Sequence, residues 1–177
     1  VGGRFRNFKG DGMAIIIISD TSPLSGLAII NQLSILPKLY QKIIIPTAVK
    51  KELTFPENPQ FIIDSINNAN WLEERIPTNI SLINSLQIDN NLDVGESEAI
   101  CLALELSADF LVIDERLGRK EAKQKGLKII GVLGILLVAK NKGLIPKIKP
   151  VLNQLINEAN FRVSPILYQQ ILKDARE

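Results

Sequence analysis

The chain has 177 residues, of which 46% are hydrophobic and 23% charged, with a formal net charge of +2 and no histidine. That apolar content excludes general disorder, and the length suits one domain. The missing imidazole excludes serine–histidine and cysteine–histidine nucleophiles and His-containing zinc sites, and one cysteine, Cys101, forms neither an internal disulfide nor a thiolate cluster.

Residues 1–12 (VGGRFRNFKGDG) are glycine-rich and aperiodic and precede Met13, the one methionine. They read as a tag remnant or disordered extension, with a native start at Met13 and a single domain over 13–177. They hold three basic residues and one acidic one, so 18 of each sign remain without them and the overall charge says little about partners. Residues 14–19 (AIIIIS) form a buried strand that stops at Asp20. Thr21-Ser22-Pro23 reads as a helix start with a capping hydroxyl, the helix running through Leu27 and Ile30. A second strand spans 43–45, ended by Pro46, and 47–53 is a short helix. Residues 54–70 are loose apart from a helical piece near 61–66, and 71–76 alternates weakly, as an edge strand does. Asp93 opens the strongest helix pattern, with Asp93 and Glu96 spaced as a capping box. A strand over 110–113 ends at Asp114, a charged helix covers 116–125, and a short strand covers 127–130. Helices over 132–142 and from Ser164-Pro165 to about Lys173 complete the chain as a C-terminal cover.

Short strands alternating with helices predict an α/β domain with a central parallel sheet. The longest apolar stretch, 129–139, has 11 residues, against about 20 for a membrane helix, so no membrane association is expected. The lone cysteine is compatible with a reducing cytoplasm.

In open α/β sheets ligands bind beyond the carboxyl ends of the strands, where strand order reverses. Asp20 and Asp114 follow strands directly and fall on that edge, although either also suits a helix cap. Glu96, at the start of its helix, reaches the same edge, while Glu52 is harder to place and a solvated role competes. Glu98 and Glu105 read as surface residues. From 89 to 115 there are eight acidic residues and no basic one, whereas 116–149 holds ten basic residues and one acidic. Carboxylates beside a cationic stretch suit a divalent cation next to a phosphate backbone.

The motifs IIISDTSPL, IIIPTAVKKEL, LDVGESEAICLALELSADFLVIDERLGRKEAKQKGL and GVLGILLVAKNKGLI together resemble a PIN domain, the α/β fold of metal-dependent ribonucleases that includes VapC-type toxins. They are most similar to the DUF3368 branch of prokaryotic PIN-like proteins, over roughly residues 14–175. The resemblance implies a three-layer fold, a central parallel sheet flanked by helices with extra C-terminal helices. It places the family's acids on Asp20, Glu52 and Glu96, where most PIN domains carry Asp at the third site. The fourth falls on Asp114 or Glu115, because Ile113 stands where a Thr-x-Asp signature would begin; Asp114 is favoured as first after the strand. Ser22 matches a small polar residue that supports the first Asp. The resemblance further implies Mg²⁺ or Mn²⁺, an RNA substrate, homodimerisation and a cognate antitoxin.

The expected activity is metal-dependent cleavage of RNA. Asp20, Glu96 and Asp114 would hold the metal, Glu52 would position water, and Arg116, Arg119 and Lys120 would hold the RNA backbone. Two other readings stand beside it: a PIN-like RNA- or protein-binding module without catalysis, and a phosphoacceptor domain using Asp20 or Asp114.

Overall fold

A computed structural model describes residues 15–177; the expected tail remnant and the start at Met13 lie outside the described residues. Five strands form one sheet: β1 (Ile17–Ser19), β2 (Ile43–Pro46), β3 (Leu72–Arg75), β4 (Phe110–Val112) and β5 (Ile129–Ile130). Their order is β3-β2-β1-β4-β5, and every pairing is parallel. The chain builds outward from β1 to β3, then returns to place β4 on the other side of β1. The strand order therefore reverses between β1 and β4, the place where open α/β sheets bind ligands beyond the carboxyl ends of their strands.

The inner strands β1, β2 and β4 are apolar and covered on both faces, as a buried parallel sheet requires, while the edge strand β3 (LEER) is half-buried to exposed. Ile17, Ile43, Ile45, Val112 and Ile130 point to one face. There they pack under α1 (Thr21–Ile29), α2 (Ile35–Tyr40), α3 (Thr47–Leu53), α4 (Gln60–Asn67), α8 (Val132–Asn141), α9 (Ile148–Glu158) and α10 (Pro165–Asp174). The alternate residues Ile18, Ile44, Leu111 and Ile113 meet α5 (Ile80–Ile88), α6 (Val94–Glu105) and α7 (Arg116–Gln124) on the other. This is the expected three-layer arrangement. Ile17, Ile18 and Ile43 are at most 1% exposed, and each such side chain contributes roughly 1.5–3 kcal/mol.

Three helices absent from the sequence reading appear: α2, α5 and α9. The C-terminal cover thus has three helices, not two. Ser164 caps α10 as expected, its hydroxyl accepting from Leu167 N–H. At α1 the expectation fails: the cap position is Asp20, without a side-chain capping bond, and Pro23 sits in the third helical position.

Candidate active site

Asp20 follows β1 directly and its backbone N–H donates to Val112 O of β4 at 2.9 Å, which pins it at the strand reversal. Its side chain is 3% exposed. Burial pushes its pKa from 3.8 up to about 8, the Thr21 N–H opposes this, and the charges of Asp93, Glu96 and Glu52 raise it further. No basic side chain is among these influences. Burial and the neighbouring carboxylates thus favour the neutral form of Asp20 over the ionised one.

Glu52 comes from the last turn of α3 and is solvent-exposed. The Thr21 hydroxyl donates to Glu52 Oε2. α6 runs beside α3 and brings its first turn to both acids. A Cβ on Gly95 would stand 3.1 and 3.2 Å from the two Glu52 carboxylate oxygens and 3.4 Å from Asp20 Oδ1. Asp20 and Glu52 thus converge on one point of α6.

Glu96 is the N3 residue of a complete capping box: its N–H donates to Asp93 Oδ1 at 2.7 Å and its Oε2 accepts from Asp93 N–H at 3.2 Å. The capping role weighed from sequence is present, but it uses only one carboxylate oxygen. The other, Oε1, is buried and lacks a hydrogen-bond partner. Burial raises the Glu96 pKa, the Asp93 N–H opposes this, and the charges of Asp93 and Glu115 add to the rise. Gly118 of α7 comes close on the far side, where its Cβ would lie 2.7 Å from Oε1. Its amide favours the charged form without completing a hydrogen bond.

The structure does not bring Asp114 into this group. Its two carboxylate oxygens accept from Val132 N–H at 3.1 and 3.2 Å, at the start of α8. Burial lifts its pKa to about 6, against the Val132 N–H and the nearby Arg119 charge. Asp114 joins β4 to α8; the carboxylate after β4 that acts on Glu96 is Glu115, the other residue left open at this position. Arg119 is likewise committed inward, donating from Nη1 to Ile113 O at 2.8 Å. Arg116 and Lys120 remain exposed on α7, and Ser22 is exposed at the second position of α1.

The family model for DUF3368, described as PIN domain, matches residues 16–177. The chain belongs to the PIN domain family. No curated protein matches it. The PIN fold is of nuclease type, and PIN nucleases typically use divalent metals. Among the described residues no three acidic side chains are drawn together tightly enough to cage an ion. Mg²⁺ nevertheless keeps several waters and takes only one or two carboxylates directly, and Asp20, with Glu96 and Glu52 close enough to act on its charge, offers that number with one acid left to act through water. The donors are all hard oxygens, the buried Glu96 Oε1 lacks a partner, and the Glu52 and Asp20 oxygens converge on the place where a side chain at Gly95 would stand. The residues of this PIN domain fit a hydrated Mg²⁺ or Mn²⁺ on these grounds.

Several residues that shape the site were not singled out from sequence: Thr21 as a donor to Glu52, Asp93 as a charge on Asp20, and Gly95 and Gly118 as close neighbours of carboxylates. An isolated glycine within a strong helical pattern is a readable signal, and Gly95 carried it. Glu98 and Glu105 are not simple surface residues either. Glu98 accepts from Ala48 N–H at 2.9 Å, fixing the start of α3 against α6. Glu105 accepts from Thr78 and Asn79 N–H at 2.8 and 2.7 Å, anchoring the turn before α5.

Proposed function

We propose that this PIN domain protein is a metal-dependent endoribonuclease that hydrolyses RNA phosphodiester bonds and serves as the toxin of a toxin–antitoxin pair. Asp20 carries the reading: a buried carboxyl beside Asp93, Glu96 and Glu52, with no basic neighbour among its charge partners. Such a group costs stability unless a cation joins it, and sites of this kind concentrate where chemistry is done. A bound Mg²⁺ or Mn²⁺ supplies charge stabilisation at a phosphoryl oxygen and an activated water.

Asp20 and Glu96 hold the cation in this proposal. Glu52, steadied by the Thr21 hydroxyl, accepts a hydrogen bond from the attacking water and orients it. Glu115 takes the fourth acidic position in preference to Asp114, because Glu115 acts on Glu96 while Asp114 is bound to the start of α8. Arg116 and Lys120, exposed on α7 just beyond Glu115, attract the RNA backbone; Arg119 steadies the β4–α7 turn, and Ser22 lines the approach to Asp20. The family resemblance supports a cognate antitoxin and a homodimer as partners. No described helix is long and apolar enough to cross a membrane, in keeping with a cytoplasmic RNA substrate.

Incubation with matched single-stranded RNA and DNA in Mn²⁺ tests the substrate. Cleavage of the RNA with the DNA intact is expected. RNA binding without cleavage would favour the non-catalytic module, and equal cleavage of both would overturn the RNA specificity.

A further inference from the structure

Gly95 lies in the first turn of α6, immediately before Glu96, and is buried. Its φ is not in the left-handed region, so the backbone accepts any L side chain. Glycine inside a helix nevertheless costs stability relative to alanine, through chain entropy. Something other than backbone conformation accounts for it. The three nearest atoms that a Cβ here would meet are all carboxylate oxygens: Glu52 Oε1 at 3.1 Å, Glu52 Oε2 at 3.2 Å and Asp20 Oδ1 at 3.4 Å. The helical Gly26 of α1 is different, since its Cβ would make only an ordinary contact, 3.5 Å from Leu155 Cδ2. At Gly95 the two acids come closer to the helix than a side chain would let them, and nothing apolar is among these closest neighbours. Glu96 Oε1, turned toward Gly118 on the far side, is also buried and without a partner.

We propose that Gly95 is a positioning residue: by leaving out a side chain it lets the Glu52 and Asp20 carboxylates meet close against α6, where a divalent cation with its waters would join them. The inference rests on the metal-site reading above and adds to it the reason for a glycine. Mg²⁺ gives up water reluctantly. A methyl group on residue 95 meets the exposed end of Glu52 and pushes that carboxylate off the Thr21 hydroxyl that steadies it and away from Asp20. The acids remain, but their common ground is lost.

The test is a Mn²⁺ titration of the full chain, with free Mn²⁺ counted by electron paramagnetic resonance. Wild type, Gly95→Ala, Gly26→Ala and Asp20→Asn are compared, each also melted in EDTA. Gly95→Ala is expected to melt in EDTA at or above the wild-type temperature and to bind Mn²⁺ at least about tenfold more weakly, the lower end of what overpacking a filled site does. Gly26→Ala is expected to keep wild-type affinity. If Asp20→Asn abolishes binding but Gly95→Ala binds within about twofold of wild type, the positioning role is wrong and the metal site stands. If Asp20→Asn binds as wild type does, the metal-site reading fails and this inference with it. A Gly95→Ala protein that melts below wild type in EDTA also overturns the inference, because the methyl then meets something other than movable carboxylate ends.

Discussion

Replacing Asp20 by Asn should stabilise the metal-free protein while removing its response to metal. The pKa of Asp20 rises from 3.8 in the unfolded chain to about 8 in the folded one. Each pKa unit is worth about 1.4 kcal/mol, so ionising this buried carboxyl costs several kcal/mol at the limit. Relaxation and water at the open carboxyl edge reduce that penalty; a gain of about 2 kcal/mol for Asn, or about 4–8 °C in Tm for a chain of this size, is the working figure. The sign follows from proton counting. Between pH 3.8 and about 8 the folded state keeps a proton that the unfolded state has lost, so wild-type stability on this account falls as pH rises through that window. The Asn variant lacks this decline. Melting curves in EDTA should therefore nearly coincide near pH 4 and separate progressively up to pH 8, with the variant higher. Mn²⁺ at about 100 times its Kd then adds about 2.7 kcal/mol to wild type and leaves the variant unmoved. A variant that melts below wild type in EDTA at pH 8, or that gains as much from Mn²⁺, would refute the reasoning.

Thr21 acts through Glu52, so Thr21→Val should lower kcat about tenfold, the worth of one hydrogen bond to a charged group, with KM for RNA unchanged. Thr21→Ser should restore the rate, and a Val variant as fast as wild type would remove the role. Asp114→Ala should cost about 1–2 kcal/mol of stability by stripping the start of α8 of its acceptor while leaving Mn²⁺ affinity intact; Glu115→Gln should do the reverse, and the opposite pattern would restore Asp114 to the acidic set. At the far end of the molecule the Glu177 carboxylate accepts from Lys140 Nζ and Ile148 N–H, both at 2.6 Å, and from Lys149 N–H at 3.1 Å. Despite some loss of hydration, these partners hold its pKa down from 4.5 to about 2. Its contribution is present above pH 4.5 and lost as pH falls toward 2, so Glu177→Gln should lower Tm at pH 7 by a few degrees and flatten this part of the acid limb.

The layers were legible because the isoleucine and valine runs allow only buried parallel strands, and because Asp20 and Asp114 mark where those strands stop. The capping box at Asp93 and Glu96 and the start of α10 at Ser164 were equally plain, since each is a contact between near neighbours in the chain. Prolines hid two helices. Pro37 falls inside α2 and Pro150 in the first turn of α9, where proline's missing N–H costs nothing. α5 was hidden by its Ser and Asn content, which weakens the periodic signal. The acids of the candidate site were named by position, but which of them face one another was not. Whether Asp114 or Glu115 turns toward Glu96 depends on the start of α8, 18 residues later in the chain. The reach of Glu98 to Ala48, across 50 residues, likewise leaves no local trace. The bond from Thr21 to a carboxylate 31 residues away leaves no local trace either, and only the packing of α1 against α3 decides it.

The most direct test of a metal-dependent nuclease centred on Asp20 is cleavage of a mixed single-stranded RNA by wild type and Asp20→Asn, each with Mg²⁺, with Mn²⁺ and with EDTA. Discrete products are expected only from wild type with metal. Cleavage that survives EDTA, or that the Asn variant performs at the wild-type rate, would contradict it.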